Sequence, residues 1–166
     1  MYPDYAYYCS MYSDRAVPEN DFNRLRHRSW KKLENATTGV DGFQKLKKAF
    51  PVDADSAEAV KLCMCELVNI MYEIEQAEKE ARETSGYIRQ EDGSMKGKLI
   101  SSVSSGTESI SYSSGSVSVF GKAAYDRTLR ESMFSEKIQE YLSGIPDANG
   151  INLLYSGPYP GRGRLR

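Results

Sequence analysis

The chain of 166 residues is 40% hydrophobic and balances 22 Lys and Arg against 23 Asp and Glu, a formal net charge of −1. This length fits one domain with a modest core, and the near-neutral charge excludes a strongly basic nucleic-acid binder on bulk electrostatics. The sequence has no run of about eighteen apolar residues, so we expect no transmembrane helix. Its first residues also lack a basic stretch followed by an apolar one, so we expect no secretory signal and folding in a cytoplasm.

The cysteines and the histidine do not form a metal-binding or catalytic pattern. The three cysteines are an odd number without the spacing of a disulfide framework, which suits a reducing compartment. Cys63 and Cys65 stand one residue apart, which is not a usual zinc-ligand spacing, and His27 lies far away in sequence. The chain also lacks phosphate-binding glycine loops and a nucleophile elbow. We therefore expect no metal, no cofactor, no catalytic residues and no enzymatic activity.

The first seventeen residues are rich in tyrosine: Tyr2, Tyr5, Tyr7, Tyr8 and Tyr12. Pro3 and Asp4 suit the first turn of a short helix, because proline has a helical φ and a carboxylate is favoured at the positive end of the helix dipole. Tyrosine provides a large contact area with one polar tip, which suits partly wet contacts. Residues 1–17 are therefore interpreted as an arm or short helix, which either folds against its own domain or contacts a partner.

Pro18 and Glu19 predict the start of a helix with apolar residues at helical spacing. These apolar residues are Phe22, Leu25, Trp30, Leu33 and Ala36. The same segment is basic, with Arg24, Arg26, His27, Arg28, Lys31 and Lys32. We interpret the basic residues as spread around the helix, so that a solvated surface is favoured over contact with phosphates or an acidic partner.

Two further helices are predicted in the middle of the chain. The glycines of residues 37–42 indicate a turn, and a short helical stretch follows that Pro51 ends. Either Asp55 or Ser56 can cap the free amides of the longest predicted helix, which runs to about Glu83. The apolar side of this long helix fades in its last third, so we expect its last turns to protrude beyond the core.

A segment of different composition follows at about residues 97–118. Residues 101–118 include ten serines and two glycines, a composition typical of flexible linkers. Polar and apolar residues nevertheless alternate on both sides of residues 105–107, which favours a β-hairpin over a linker. A two-stranded hairpin is marginal in water and needs its own subunit or a neighbour for support. The candidate inter-subunit residues are Leu99, Ile100, Val103, Ile110 and Tyr112.

The end of the sequence predicts one more helix and an extended arm. The helix spans residues 122–142, with Gly144 placed to terminate it and Pro146 after it. Residues 155–166 contain too many glycines and prolines for regular structure. Arginine suits bidentate pairing with carboxylates, and tyrosine suits an interface, so this arm is interpreted as a docking element more than as a nucleic-acid binder. Its candidate docking residues are Tyr155, Tyr159, Arg162, Arg164 and Arg166.

Together these segments predict a mainly α fold. It is a helical bundle with one long central helix, an inserted β-hairpin and extended terminal arms. The expected organisation is a tyrosine-rich arm or short helix over residues 1–17, a helical domain over residues 18–154 that includes the hairpin, and a C-terminal arm over residues 155–166. A small core with projecting arms suggests a subunit that its neighbours help to stabilise.

The order of several motifs resembles the head–tail connector, or adaptor, proteins of tailed double-stranded DNA bacteriophages. The similarity extends from about residue 1 to residue 160, and the order of the motifs along the chain carries most of its weight. The motifs are residues 37–42 (TTGVDG), 49–51 (AFP), 59–61 (AVK) and Asn69 in the long helix, 101–112 (SSVSSGTESISY), 141–144 (YLSG) and 152–157 (NLLYSG).

This resemblance implies a virion building block. It implies a helical bundle with a β-hairpin, assembled in the host cytoplasm as a homo-oligomeric, twelvefold ring under the portal at the DNA exit of the head. Such a ring lines the DNA channel, lets double-stranded DNA pass without sequence specificity, and presents a platform to the stopper or tail-completion protein. The resemblance also implies that the C-terminal arm reaches the portal, a role that falls here on residues 155–166. A small helical DNA-binding or regulatory module, or another head- or tail-completion protein, is the alternative function.

Overall fold

A computed structural model describes residues 2–13, 17–83, 86–89, 95–104, 109–113 and 118–160. The chain is mainly helical, which confirms the predicted fold class at that level. In chain order the elements are α1 (Tyr5–Met11), α2 (Glu19–Thr37), α3 (Lys45–Lys48), α4 (Ala54–Glu83), β1 (Gly86–Arg89), β2 (Met95–Ser104), β3 (Ser109–Ser113), α5 (Val119–Tyr125) and α6 (Arg127–Leu142). The chain divides into two compact units, residues 1–72 with 131–166, and residues 73–130.

The core of the first unit forms from the apolar sides of its helices. In α2 the buried residues Phe22, Leu25, Ser29 and Leu33 recur every three or four positions, which places them on one side of the helix. The same spacing recurs in the first part of α4. Large side chains that are fully buried in this unit are Tyr8, Phe22, Leu25, Leu33, Leu46, Val60, Met64, Leu67, Leu142 and Leu153. Burial of such side chains stabilises a fold by about 1.5–3 kcal/mol each, before the entropy cost of ordering them.

The long helix α4 has 30 residues and is therefore about 45 Å long. It begins at Ala54, one or two residues before the predicted caps Asp55 and Ser56, so that part of the prediction is wrong. The cap is Asp53, whose Oδ2 accepts a hydrogen bond from the Ser56 amide at 2.9 Å. This interaction satisfies an amide at the first turn that has no acceptor within the helix, and it lowers the pKa of Asp53.

The single helix predicted over residues 122–142 is two helices in the structure. The backbone of Asp126 is extended, and its amide still donates to Lys122 to close α5. The Asp126 carboxylate then accepts hydrogen bonds from the amides of Thr128, at 2.8 Å, and Leu129, at 3.1 Å. An aspartate that binds these two amides acts as the N-cap of a new helix, so α6 starts immediately after it.

The second unit contains the three strands, which pair in the order β1–β2–β3. Both pairs are antiparallel, with Gly86 opposite Lys98 in the first and Val103 opposite Ile110 in the second. The register of β2 and β3 shifts between Ile100 and Ser102. The predicted turn at residues 105–107 lies outside the described residues, so the hairpin itself stays a prediction.

Candidate functional site

The C-terminal segment packs onto the loop around α3, in the first unit. Lys45 is 1% exposed, and its ammonium donates to the carbonyl oxygens of Thr37 at 2.8 Å, Leu153 at 3.1 Å and Tyr155. An ammonium has three hydrogens to donate, so these three acceptors use its full capacity. Burial lowers the pKa of Lys45, against the opposing effect of the carboxylates of Asp147 and Asp41. Lys45 thereby ties the end of α2 to the C-terminal segment.

Tyr159 fixes the same segment a few residues further on. Its ring packs on Phe43 with ring centroids 3.9 Å apart, in a small buried cluster that includes Ala49. The Tyr159 hydroxyl donates to Asp147 at 2.6 Å, and the Tyr159 amide donates to Asp41 at 3.1 Å. Burial, followed by the hydrogen bond to Asp147, raises the pKa of Tyr159. We give the name C-terminal anchor to two sets of contacts. They are those of Lys45 with the carbonyls of residues 37, 153 and 155, and those of Tyr159 with residues 41, 43 and 147.

The C-terminal anchor changes the interpretation of the predicted arm. Tyr159, predicted as an exposed docking residue, is only 8% exposed, because its ring and hydroxyl are both used within the chain. Tyr155 is 44% exposed, and the next residue, Ser156, accepts a hydrogen bond from the amide of Val40, whose side chain is also exposed. Two exposed apolar residues are therefore carried by backbone segments that are hydrogen-bonded to each other at the base of the arm. The docking residues Arg162, Arg164 and Arg166 lie outside the described residues.

The candidate inter-subunit residues of the hairpin lie on paired strands of the second unit. In the backbone register Leu99 is opposite Ser113, Ile100 is opposite Tyr112, and Val103 is opposite Ile110. Two of these pairs, at positions 100 and 112 and at positions 103 and 110, therefore place apolar residues directly opposite each other, as expected for cross-strand pairs.

The N-terminal tyrosines are bound within the chain. The hydroxyl of Tyr7 donates to Glu58, and that of Tyr8 donates to Asn69 at 2.6 Å. The hydroxyl of Tyr12, the residue that follows α1, donates to Glu66 at 2.7 Å. All three acceptors lie on α4. Burial, reinforced at Tyr7 and Tyr12 by the hydrogen bonds to the glutamates, raises the pKa of each tyrosine. Of the two interpretations of residues 1–17, the structure has the short helix packed against its own domain.

The basic residues of α2 divide into two groups. Arg26 and Lys32 turn towards the rest of the unit, where the Arg26 guanidinium donates to the Pro3 carbonyl at 3.3 Å and the Lys32 ammonium pairs with Glu131. The remaining basic residues are exposed on the other side. Between positions 20 and 35, every exposed residue of α2 is Asn, Arg, His or Lys. We call this surface the α2 basic face; its residues are Asn20, Asn23, Arg24, His27, Arg28, Lys31 and Asn35.

The buried thiols have the properties of core residues. Cys63 and Cys65 are both 0% exposed, and burial raises the pKa of each thiol to about 12, which disfavours the reactive thiolate. Among the residues that the structure describes, no group of three or more His, Cys, Asp and Glu is placed to hold a metal ion. Within the same part of the chain, no helix combines the length and the apolar character needed to cross a membrane.

Sequence reasoning did not find the residues of the C-terminal anchor. Lys45 stands in a KLKK segment, which has the composition of a solvated helix. Asp147 precedes Ala148-Asn149-Gly150, and the carboxylate of an aspartate at such a position commonly binds amides of its own turn. In the structure Asp147 Oδ1 accepts from the Asn149 amide at 2.8 Å and the Ile151 amide at 3.0 Å. That turn signal could have located Asp147, but nothing local indicates that Lys45 is buried.

Comparison of the chain with protein-family models, with curated proteins and with solved structures finds no match. The functional conclusion therefore depends on the motifs of the sequence and on the surfaces described above.

Proposed function

We propose that this chain is a structural, non-enzymatic virion protein that forms a ring between the portal of a phage head and the tail or stopper. The observation that carries the proposal is the ordered series of motifs, from about residue 1 to residue 160, that resembles head–tail connector proteins. A mainly helical chain built on the 30-residue α4 agrees with the helical bundle that the resemblance implies. In this proposal the protein assembles in the bacterial host cytoplasm as a twelvefold ring that lines the DNA channel.

The contact between neighbouring copies is proposed to use the inserted β-hairpin. β2 and β3 pair antiparallel, and the four residues 105–108 between them are a suitable length for a hairpin connection. β3 is an edge strand of the three-stranded sheet, and an edge strand offers unpaired backbone groups to a neighbouring subunit. The side chains assigned to this contact are Leu99, Ile100, Val103, Ile110 and Tyr112.

The contact with the portal is proposed to begin where the C-terminal anchor ends. Tyr155 and Val40 are both exposed and lie on hydrogen-bonded backbone segments at the base of the arm, and aromatic side chains are common anchors in protein interfaces. Arg162, Arg164 and Arg166 follow in sequence and suit bidentate pairing with portal carboxylates. Tyr159 supports this contact indirectly, because it holds the preceding segment in place.

The direct test mixes the purified full chain with its cognate portal protein and follows the mixture by size-exclusion chromatography with light scattering. The proposal predicts that the chain moves from its own elution position into the portal peak. Replacement of the exposed pair, Val40→Ser with Tyr155→Ser, should weaken this shift. Val52→Ser is the matched control, since Val52 is 83% exposed and takes no part in the anchor. A chain that never enters the portal peak would contradict the proposal.

The second candidate is a small helical DNA-binding or regulatory module, which the α2 basic face favours. This candidate predicts binding to duplex DNA that weakens with added salt and with charge reversal in α2, and no association with a portal. A third possibility, another head- or tail-completion protein, differs from the leading proposal only in its partner. Pull-down with the portal, the stopper and the tail-completion protein in separate reactions distinguishes these functions.

A further inference from the structure

The α2 basic face has an arrangement that the sequence alone concealed. Positions 24, 27, 28 and 31 are separated by three and four residues, so their side chains lie on one side of the helix. The structure leaves all four exposed, and Arg26 and Lys32 are more buried than they are. Arg26 donates to the Pro3 carbonyl, and Lys32 pairs with Glu131. The fold thus sorts basic residues that look evenly spread in sequence into one outward stripe.

Acidic residues are confined to the ends of α2. Glu19 and Asp21 lie in the first turn, and the side chain of Glu34 is 9% exposed. Asp21 pairs with Arg24 at 2.9 Å, and Glu34 pairs with Lys31 at 2.9 Å. The Asp21–Arg24 pair is exposed on both sides and is weak enough to exchange for another anion. In the other pair Lys31 is exposed and its partner Glu34 is buried. The surface between the two ends carries three formal positive charges on a chain whose net charge is −1.

We infer that the α2 basic face binds the phosphate backbone of duplex DNA without sequence specificity. Asn, Arg and Lys are residue types that contact phosphates, and Arg24 and Lys31 are about 10.5 Å apart along the helix axis. A DNA major groove about 12 Å wide admits a helix presented in this way. This binding deepens the proposed function, because it names the side chains that would meet the passing DNA. It rests on the proposed function only for the identity of that DNA as the DNA that passes through the ring.

DNA fits this face better than an acidic protein does. Specific protein interfaces are built around buried aromatic or apolar anchors, and the exposed residues of α2 between positions 20 and 35 include no such side chain. Tyr2 borders the face, but its ring packs on Trp30, with ring centroids 4.7 Å apart. A phosphate backbone requires only charge and hydrogen-bond donors, which the face provides.

The number of charges sets the expected salt dependence. Three side chains that each neutralise one phosphate give a slope of about −2.7 for log K against log salt concentration. Binding should therefore weaken about 40-fold between 50 and 200 mM salt. Such weak and salt-sensitive contact suits a surface over which DNA passes, because tight binding would retain it.

The experiment measures binding of the full chain to a fluorescein-labelled DNA duplex of about 20 base pairs by fluorescence anisotropy. The salt concentration is varied from about 50 to about 200 mM, the range over which the salt dependence was calculated. The test variant is Arg24→Gln, Arg28→Gln, Lys31→Gln. The control, Lys47→Gln, Lys122→Gln, Arg127→Gln, removes the same charge from three other exposed positions. We expect at least tenfold weaker binding and a nearly flat salt dependence for the test variant, and near wild-type behaviour for the control.

Three outcomes would overturn the inference. They are no binding by the wild-type chain at 50 mM salt, an equal loss in both variants, and competition by polyglutamate at the same charge concentration as effectively as by unlabelled DNA. The first would leave no site, the second would indicate a bulk-charge effect, and the third would indicate an acidic protein partner. Portal association is measured separately, so a chain that joins the portal but does not bind DNA refutes this inference and leaves the proposed function intact.

Discussion

Replacement of Lys45 by methionine is the sharpest test of the C-terminal anchor. Methionine keeps most of the length and apolar volume of the side chain but removes the three hydrogens that bind the carbonyls of Thr37, Leu153 and Tyr155. All three carbonyl groups then lose a partner at a site where the lysine side chain is 1% exposed. The predicted effect is a loss of global stability together with loosening of residues 153–156.

The magnitude follows from two opposing contributions. A buried acceptor that loses its partner costs about 1–3 kcal/mol, so three of them cost at least about 3 kcal/mol. Removing the ammonium also relieves the cost of burying a charge, which offsets part of that loss. We expect Lys45→Met to lower the free energy of unfolding by about 2–4 kcal/mol, a large fraction of the roughly 5–15 kcal/mol typical of a domain.

The assay is urea denaturation followed by the fluorescence of Trp30, the single tryptophan, with hydrogen exchange as a local readout. The amides of Leu153 and Val40, which donate to Ile145 and Ser156, should exchange faster in the variant. Lys47→Met on the exposed side of α3 is the matched control and should stay within about 0.5 kcal/mol of wild type. A Lys45→Met protein as stable as the control, with unchanged exchange, would refute the anchor.

Two further predictions concern alkaline stability and the arm. The thiols of Cys63 and Cys65 have pKa values raised from 9.0 to about 12, so their contribution to stability is complete below pH 9 and is lost as the pH rises towards 12. We expect the free energy of unfolding, measured by urea denaturation, to fall over that window by up to about 1.4 kcal/mol per pH unit for each thiol. The variant Cys63→Ala, Cys65→Ala should flatten this pH profile, and an unchanged profile would contradict the burial argument. Deletion of residues 161–166 should leave the urea midpoint unchanged, because the C-terminal anchor remains. The same deletion should weaken portal association at least tenfold. Normal association of the truncated chain would exclude a docking role for these residues.

The sequence predicted the elements whose signals are local and repeated. In α2 and α4 apolar residues recur at helical spacing over several turns, and Pro18 marks the start of α2, so both helices lie close to their predicted bounds. The break at Asp126 was missed, because one aspartate inside a long helical pattern carries little weight against its neighbours. Its ability to cap the amides two and three residues later was the available signal.

The candidate surfaces were harder to predict, because they depend on distant contacts. Lys45 is separated by 108 residues from the Leu153 carbonyl that it binds, and no local pattern reports such a pairing. Tyr159 looked like part of a free arm, since the prolines and glycines around it exclude regular structure without excluding a buried side chain. The α2 basic face was present as a spacing of three and four residues, but Arg26 and Lys32 obscured it until the structure showed that both turn inward.

We propose that this chain acts as one of many identical subunits attached to a portal. Native mass spectrometry of the chain bound to its cognate portal measures that directly, because the mass gives the number of 18.7 kDa subunits per assembly. We expect one assembly that holds many copies of the chain on one portal ring, with twelve as the expected number. A portal whose mass is unchanged by an excess of the chain would contradict it.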